Sequence, residues 1–590
     1  MLIFARKVSN TYTDKIISLI TTNTMRTHLY LAIAVASTVA LSSCKKLGDL
    51  SADNFTVTPS PMEAVAGKVP VTINGRFPEK YMKKKAVVTV TPVLRYEGGE
   101  ASGQSATFQG EKVEGNNQTI NYKVGGNYTM KNSFDYIPAM QKSELYLTFD
   151  AKVGKKSVKV NDVKVADGVI ATSELLGRTL AGSNGSIAAD AYQRIIKQEK
   201  ESQIKFLIQQ ANIRNSELKS TSVQEFVQTL KDIKADQKGK QLENVEIAAY
   251  ASPDGGFKLN DKLAANRKTN TEKYVNKTMG AAGVDGNVDA KYTAQDWEGF
   301  QQLVSASNIQ DKDVILRVLS MYKDPEERET QIRSLSAAFR ELADEVLPEL
   351  RRSRLTINYN LIGRSDDEIK AQYKADPSKL NIEELLYNAT LTDNAAEQED
   401  IYKTATRQYP NDYRAYNNLA RLAIQKGDMN AAKNYLAQAA SKKSDAPEVA
   451  VNNAYVALAN GDVAAAESSL AKASKADGYN EALGNLYTAK GNYAQAAQNL
   501  SGSKTNGAAL AQILNKDYNA AKNTLSAVKN PDAITSYLKA IVAARTNQNS
   551  DVISNLRDAI SKDASLKEYA AKDLEFRALA DDANFQSLVK

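Results

Sequence analysis

Between residues 52 and 175 apolar and polar positions alternate in short runs. The segments 68–77, 86–96 (AVVTVTPVLRY) and 144–153 (ELYLTFDAKV) are rich in β-branched and aromatic residues, and clusters of Gly, Asn and Pro separate them. This pattern predicts half-buried strands joined by turns, and its spacing predicts a small β-sandwich of immunoglobulin-like type. Over 200–365 the period switches repeatedly. Segment 204–213 reads as a strand. Segment 222–233 reads as a helix with Val223, Phe226, Val227, Leu230 and Ile233 on one face. A strand over 245–251, a helix over 259–275 and a closing strand over 354–362 (RLTINYNLI) complete an alternating α/β layer domain. Its insertion, 290–346, is helical in pattern. Trp297, Phe300, Leu303 and Val304 form one apolar set there, and Ile332, Leu335, Phe339, Leu342 and Val346 another, all read as core. From 375 to 590 glycine and proline thin out, alanine becomes dense, and helices are predicted throughout.

The last region repeats itself. The phrases Lys426-Gly427-Asp428-Met429-Asn430-Ala431-Ala432, Asn460-Gly461-Asp462-Val463-Ala464-Ala465-Ala466 and Lys490-Gly491-Asn492-Tyr493-Ala494-Gln495-Ala496 place their glycines 34 and 30 residues apart. A degenerate copy begins at Asn515. A glycine between paired helices at this period resembles the tetratricopeptide repeat, which implies an α-helical solenoid whose concave face binds protein segments. The expected partner is an envelope protein that the residues do not specify.

The N-terminus carries a different pattern. After Met25 come Arg26, the apolar run 29–41, and Leu41-Ser42-Ser43-Cys44. The run is too short to span a bilayer comfortably and suits a signal peptide. Small residues followed by the only cysteine resemble the lipobox of bacterial lipoproteins. Residues 1–43 are therefore expected to be removed, with 1–24 read as an upstream extension of the true start. Acylated Cys44 would then begin a lipidated linker, 44–51. Several acyl chains, at about 0.8 kcal/mol per buried methylene, make such anchoring effectively permanent. Lys45 and Lys46, with no acidic run behind them, favour an outer-membrane protein facing the periplasm.

Within the α/β region, AYASPDGGFKLNDKLAANRKTNTEKYV (249–275) resembles the core motif of the OmpA-like peptidoglycan-binding domain. Gly255, Asn260, Leu263 and Arg267 fall on motif positions, and LPELRRSRLTINY (347–359) resembles the family's closing arginine-plus-strand element. The family's binding Asp falls here on Ser252, with Asp254 two residues later. The resemblance implies a ligand, the diaminopimelate of a peptidoglycan peptide stem. It implies a carboxylate (Asp254 in place of Ser252) for the ligand's ammonium and the Arg267 guanidinium for its carboxylate. Asn260 completes the implied set.

Composition narrows the chemistry. The only histidine is His28 and the only cysteine Cys44, so the folded chain beyond them offers neither imidazole nor thiol for nucleophilic catalysis or for zinc, and no disulfide. No enzyme activity, metal or cofactor is expected. Removing residues 1–43 takes four basic residues and one acidic residue from a net +7 and leaves about +4, too weak and dispersed for nucleic acid. The expectation is a lipoprotein that binds peptidoglycan and scaffolds envelope proteins. The rival is a cell-surface adhesion or nutrient-capture accessory whose OmpA-like fold no longer binds the wall. Cys44→Ala should abolish incorporation of labelled palmitate and release the protein from the membrane fraction. A variant that stays acylated and membrane-bound would refute the lipobox reading.

Overall fold

The computed structural model describes residues 47–309, 311–334 and 340–590. Cys44 and the whole signal segment lie outside the described residues, as do Leu335 and Phe339. The chain forms two compact units, one of residues up to 189 together with 402–590, the other of residues 190–401. Among the described residues no helix is long and apolar enough to cross a membrane.

The first unit begins with the expected sheet-rich region. Phe55–Thr58, Lys68–Phe77 and Gly126–Asp135 form a three-stranded antiparallel sheet. A larger sheet centres on Ala86–Tyr96 paired with Ser143–Val153. Alternate residues point inward: Val69, Val71 and Ile73 from one sheet, and Val88, Val90, Leu145 and Leu147 from the other, share one apolar core. Those inward residues are the alternating β-branched and large apolar positions of the sequence, which is why this region was legible.

The same unit contains five helix pairs, labelled here α1/α2 (Tyr413–Lys426, Met429–Lys442), α3/α4 (Pro447–Ala459, Val463–Leu470), α5/α6 (Tyr479–Ala489, Tyr493–Asn499), α7/α8 (Asn506–Leu514, Tyr518–Ser526) and α9/α10 (Ala533–Arg545, Asn549–Lys562). The C-terminal region is thus a helical repeat solenoid. The repeated phrases sit at the turns inside the pairs. Gly427, Gly461 and Gly491 take φ near +77°, +72° and +75°, and in the two later pairs Lys516 (+64°) and Asn547 (+57°) hold the same left-handed position. The degenerate copies keep the backbone conformation without the residue that adopts it most easily. Asp428, Asp462 and Asp517 then cap the second helices, accepting from Ala431, Ala465 and Ala520 amides at 2.9–3.0 Å. Alanines at 420, 432, 454 and 466 are fully buried and let the paired helices approach.

Residues 176–189, which the sequence assigned to no domain, belong to this array. Leu175, Leu176 and Leu180 join the hydrophobic core of the repeats.

The second unit is an α/β layer. Its strands are β1 (Ile195–Lys205), β2 (Lys240–Tyr250), β3 (Asn287–Thr293) and β4 (Arg352–Ile362), in the order β1-β4-β2-β3. The central β4 pairs antiparallel with β1 and β2, and β3 runs parallel to β2. Helices Thr221–Ala235 and Phe257–Ala282 cover one face. Their Val223, Phe226, Leu230, Ile233, Val275 and Met279 meet Ile204, Val245, Ile247, Leu355 and Ile357.

Three expectations differ from the structure. The first strand is 195–205, not 204–213; its exposed stretch is too polar to show the alternation, and 206–213 is irregular. Residues 287–293, partly inside the supposed helical insertion, form the edge strand β3. Such a strand buries only one flank, so its apolar signal is faint. The rest of the insertion is helical (Trp297–Ala306, Lys312–Met321, Pro325–Ser334), and Trp297 packs half-buried against its core, edge-on to Phe300 with ring centroids 5.6 Å apart. The expected start of the repeats at 375 also differs from the contact boundary, which falls between Ile401 and Tyr402.

One buried group in the first unit carries a pH signature. Asp573 accepts from the Tyr537 hydroxyl at 2.7 Å and from the Glu575 amide at 3.0 Å. Burial, with repulsion from Glu575 second, pushes its carboxyl up to about 7. The folded chain therefore holds a proton that the unfolded chain releases near 3.8, so this contribution to stability falls as pH rises from about 4 to about 7 and is constant beyond. Asp573→Asn should flatten that slope in thermal denaturation between pH 5 and 8. An unchanged slope would place the titration elsewhere.

Candidate functional site

The motif loop, residues 251–256, leaves the end of β2 and enters the long helix Phe257–Ala282. Three side chains hold its shape. Asn260 is buried and donates its amide to the carbonyls of Ser252 (3.0 Å) and Gly255 (2.6 Å). Gln295 donates to the same Gly255 carbonyl at 3.0 Å. Buried Ser252 donates its hydroxyl to Asp254.

The charges fall into two pairs beside this loop. Asp254 meets Arg351 at 3.1 Å, with side chains 17% and 13% exposed. The Arg351 Nε also reaches the Ser252 hydroxyl at 3.4 Å. Asp296 meets Arg352 at 3.5 Å, and both are largely buried. Asp296 caps the helix Trp297–Ala306 through the Gly299 amide (2.8 Å), and burial raises its carboxyl above the ordinary range. The Asp296 oxygen that faces Arg352 and the Arg352 Nε have no hydrogen-bond partner among the described residues. Asp296 is tied to the motif loop by its own amide, which donates to the Ala251 carbonyl at 3.2 Å.

Arg267 sits elsewhere in the logic of the site. It is fully buried. Its guanidinium donates to three backbone carbonyls, Tyr250 (2.8 Å), Gln210 (3.0 Å) and Leu207 (3.3 Å), and lies 5.1 Å from the Phe206 ring centre. Burial first, and repulsion from Arg351 second, lower its pKa to about 10, so it remains a cation at neutral pH. The structure thus brings together Ser252, Asp254 and Asn260, while the guanidinium facing Asp254 is that of Arg351. Arg351 and the Asp296–Arg352 pair were missed as site residues. The available signal was the double arginine directly ahead of the closing strand. Asp296 had none beyond its place before a helix.

No family model matches the chain, and no curated protein matches it. Among solved structures, matches are of low identity and low TM-score. A tetratricopeptide repeat protein from Parabacteroides merdae is 13% identical, with 44% of this chain and 100% of that one covered, at a TM-score of 0.26. PilF of Pseudomonas aeruginosa is 15% identical over 38% of this chain and 98% of its own, at 0.23. The Cut9–Hcn1 assembly of the APC/C is 15% identical over 57% and 72%, at 0.29.

Removing the Arg267 donors would take that partner from the Tyr250 and Gln210 carbonyls, each costing about 1–3 kcal/mol when buried without a partner, while the Leu207 carbonyl keeps the Gln210 amide at 3.1 Å. Arg267→Ala is expected to destabilise the α/β domain by roughly 3 kcal/mol or more, read as a lower denaturation midpoint and faster amide exchange over 206–213. Arg267→Lys, with one ammonium for a three-armed fork, should recover only part. Wild-type exchange in the alanine variant would refute this positioning role.

Proposed function

We propose that the protein is a lipid-anchored outer-membrane scaffold, facing the periplasm. Its α/β domain, which resembles the OmpA-like family, engages the diaminopimelate-bearing peptide stem of peptidoglycan, and its helical repeats engage an envelope protein. The observation that carries the wall-binding reading is the charge arrangement at the motif loop. Two carboxylates and two guanidiniums are held beside one strand-to-helix turn by buried partners. A stem ending in diaminopimelate offers both ammonium and carboxylate. Asp254 answers the ammonium and Arg351 the carboxylate, in planar charge-assisted pairs. Asn260 and Arg267 are positioning residues, the first for the motif loop and the second for the 206–213 segment behind it. The ligand's charges exchange with an ion pair already present, so little bare charge is desolvated on binding.

The rival, an adhesion or nutrient-capture accessory that no longer contacts the wall, draws on the same pair. Asp254 already has Arg351 and Ser252 as partners and needs no ligand. Retention on purified peptidoglycan separates the two. Wild type should be retained, and Asp254→Asn and Arg351→Ala should each weaken retention about tenfold to a hundredfold, the value of one charge-assisted hydrogen bond of roughly 1.5–3 kcal/mol. Arg351→Lys should lie between. Retention of the wild type no better than that of an unrelated protein would end the wall-binding reading and leave the adhesion reading in its place.

A further inference from the structure

The inner face of the repeat array, formed by the first helix of successive pairs, is not bare. An extended stretch of the same chain, Gly182-Ser183-Asn184-Gly185-Ser186-Ile187-Ala188-Ala189, lies on it. Its backbone is read by side chains. Asn452 on α3 grips Ser186 from both sides, accepting its amide at 2.8 Å and donating to its carbonyl at 2.8 Å. Asn418 on α1 does the same to Ala188, at 2.8 and 3.0 Å. Asn417 adds a second donor to the Ser186 carbonyl at 3.0 Å and is itself oriented by Asn452. Glu481 on α5 accepts from the Asn184 amide and side chain, and Gln425 donates to the Asn184 carbonyl. These are the contacts a strand partner would make, supplied by carboxamides that recur along the solenoid.

Two features define what fits. Ser183, Ser186 and Ala188 are buried, so the residues that point into the helices must be small. Gly185 has φ +65°, and a Cβ there would stand 3.0–3.1 Å from Asn452 and Arg421 atoms. The occupant is also imperfect. The hydroxyls of Ser183 and Ser186 are buried with no hydrogen-bond partner among the described residues, a cost that a methyl or hydrogen would not carry. Backbone reading of this kind suits an extended peptide with small residues at these positions, whatever its other side chains.

We propose that the inner face of the array is a peptide-binding groove for extended, small-residue segments, and that residues 182–189 are its resting occupant, displaceable by a competing segment of the same chemistry. Release would free about eight residues of linker, roughly 30 Å of added reach at full extension, between the sheet-rich region and the α/β domain. The array would then exchange a hold on its own chain for a hold on a partner. This inference rests on the proposed reading that the repeats engage a protein partner and is independent of peptidoglycan binding.

The test is hydrogen exchange on the full chain, with and without a synthetic peptide of the sequence 180–190. The Ser186 and Ala188 amides should exchange at least tenfold faster than the core amides of α1 and α3. Excess peptide should speed them further by taking the groove. Asn452→Ala should raise their rate about tenfold or more, and Ser186→Ala, which removes a stranded hydroxyl, should lower it about tenfold. The peptide arm needs only the wild-type chain, so a variant that fails to fold does not decide the outcome. If 182–189 exchanges in step with α1 and α3, or if peptide leaves its rate unchanged, the segment is a fixed part of the fold and the proposal is overturned.

Discussion

Backbone amides and carbonyls removed from water need partners, and outside helices and sheets only side chains can supply them. Both units of this protein are organised around that constraint. In the α/β domain the segment 206–213 leaves the sheet and turns its carbonyls inward, and the buried Arg267 guanidinium answers two of them together with the end of β2. In the repeat array the extended segment 182–189 runs over helices that have no edge to offer, and Asn417, Asn418 and Asn452 take the place of a neighbouring strand. A guanidinium and a carboxamide suit these tasks for different reasons. The first offers several donors in one plane, the second a donor and an acceptor side by side.

The same division separates positioning groups from groups placed to meet a ligand. Arg267 and Asn260 are consumed in shaping backbone. The partly exposed pair beside them, Asp254 with Arg351, is the one that the proposed wall-binding reading has exchange partners with a zwitterion. The inner face of the solenoid follows the reverse arrangement. Its Asn417, Asn418 and Asn452 carboxamides are engaged by residues 182–189, and that segment carries two hydroxyls without a partner among the described residues.

Much was legible in the residues. The inward positions of the strands, such as Val88 and Val90, alternate in the sequence because alternate side chains face opposite sides of a sheet. The repeat glycines are visible because a left-handed turn favours glycine, and the spacing survives where Lys516 and Asn547 have replaced it. Of the residues singled out by the motif 249–275, Ser252 and Asp254 lie in the loop after β2, and Asn260 lies in the first turn of the next helix, bonded back to the Ser252 carbonyl. Edge strand β3 and the polar β1 were missed or displaced because a strand with one buried flank has little apolar signature.

By itself, then, the sequence determined the strands, helices and turns that carry a clear local period or backbone preference, such as Ala86–Tyr96 and the repeat helices, but not the polar β1 or the exposed β3. It also determined that beyond Cys44 there is no imidazole or thiol. Only the tertiary structure decided which guanidinium faces Asp254, because Arg267 and Arg351 are far apart in the chain and their roles depend on which carbonyls and carboxylates surround them after folding. It likewise decided that residues 182–189 occupy the repeat groove. Small residues such as Gly, Ser and Ala read as a linker until helices from over two hundred residues away supply the side chains that bind their backbone.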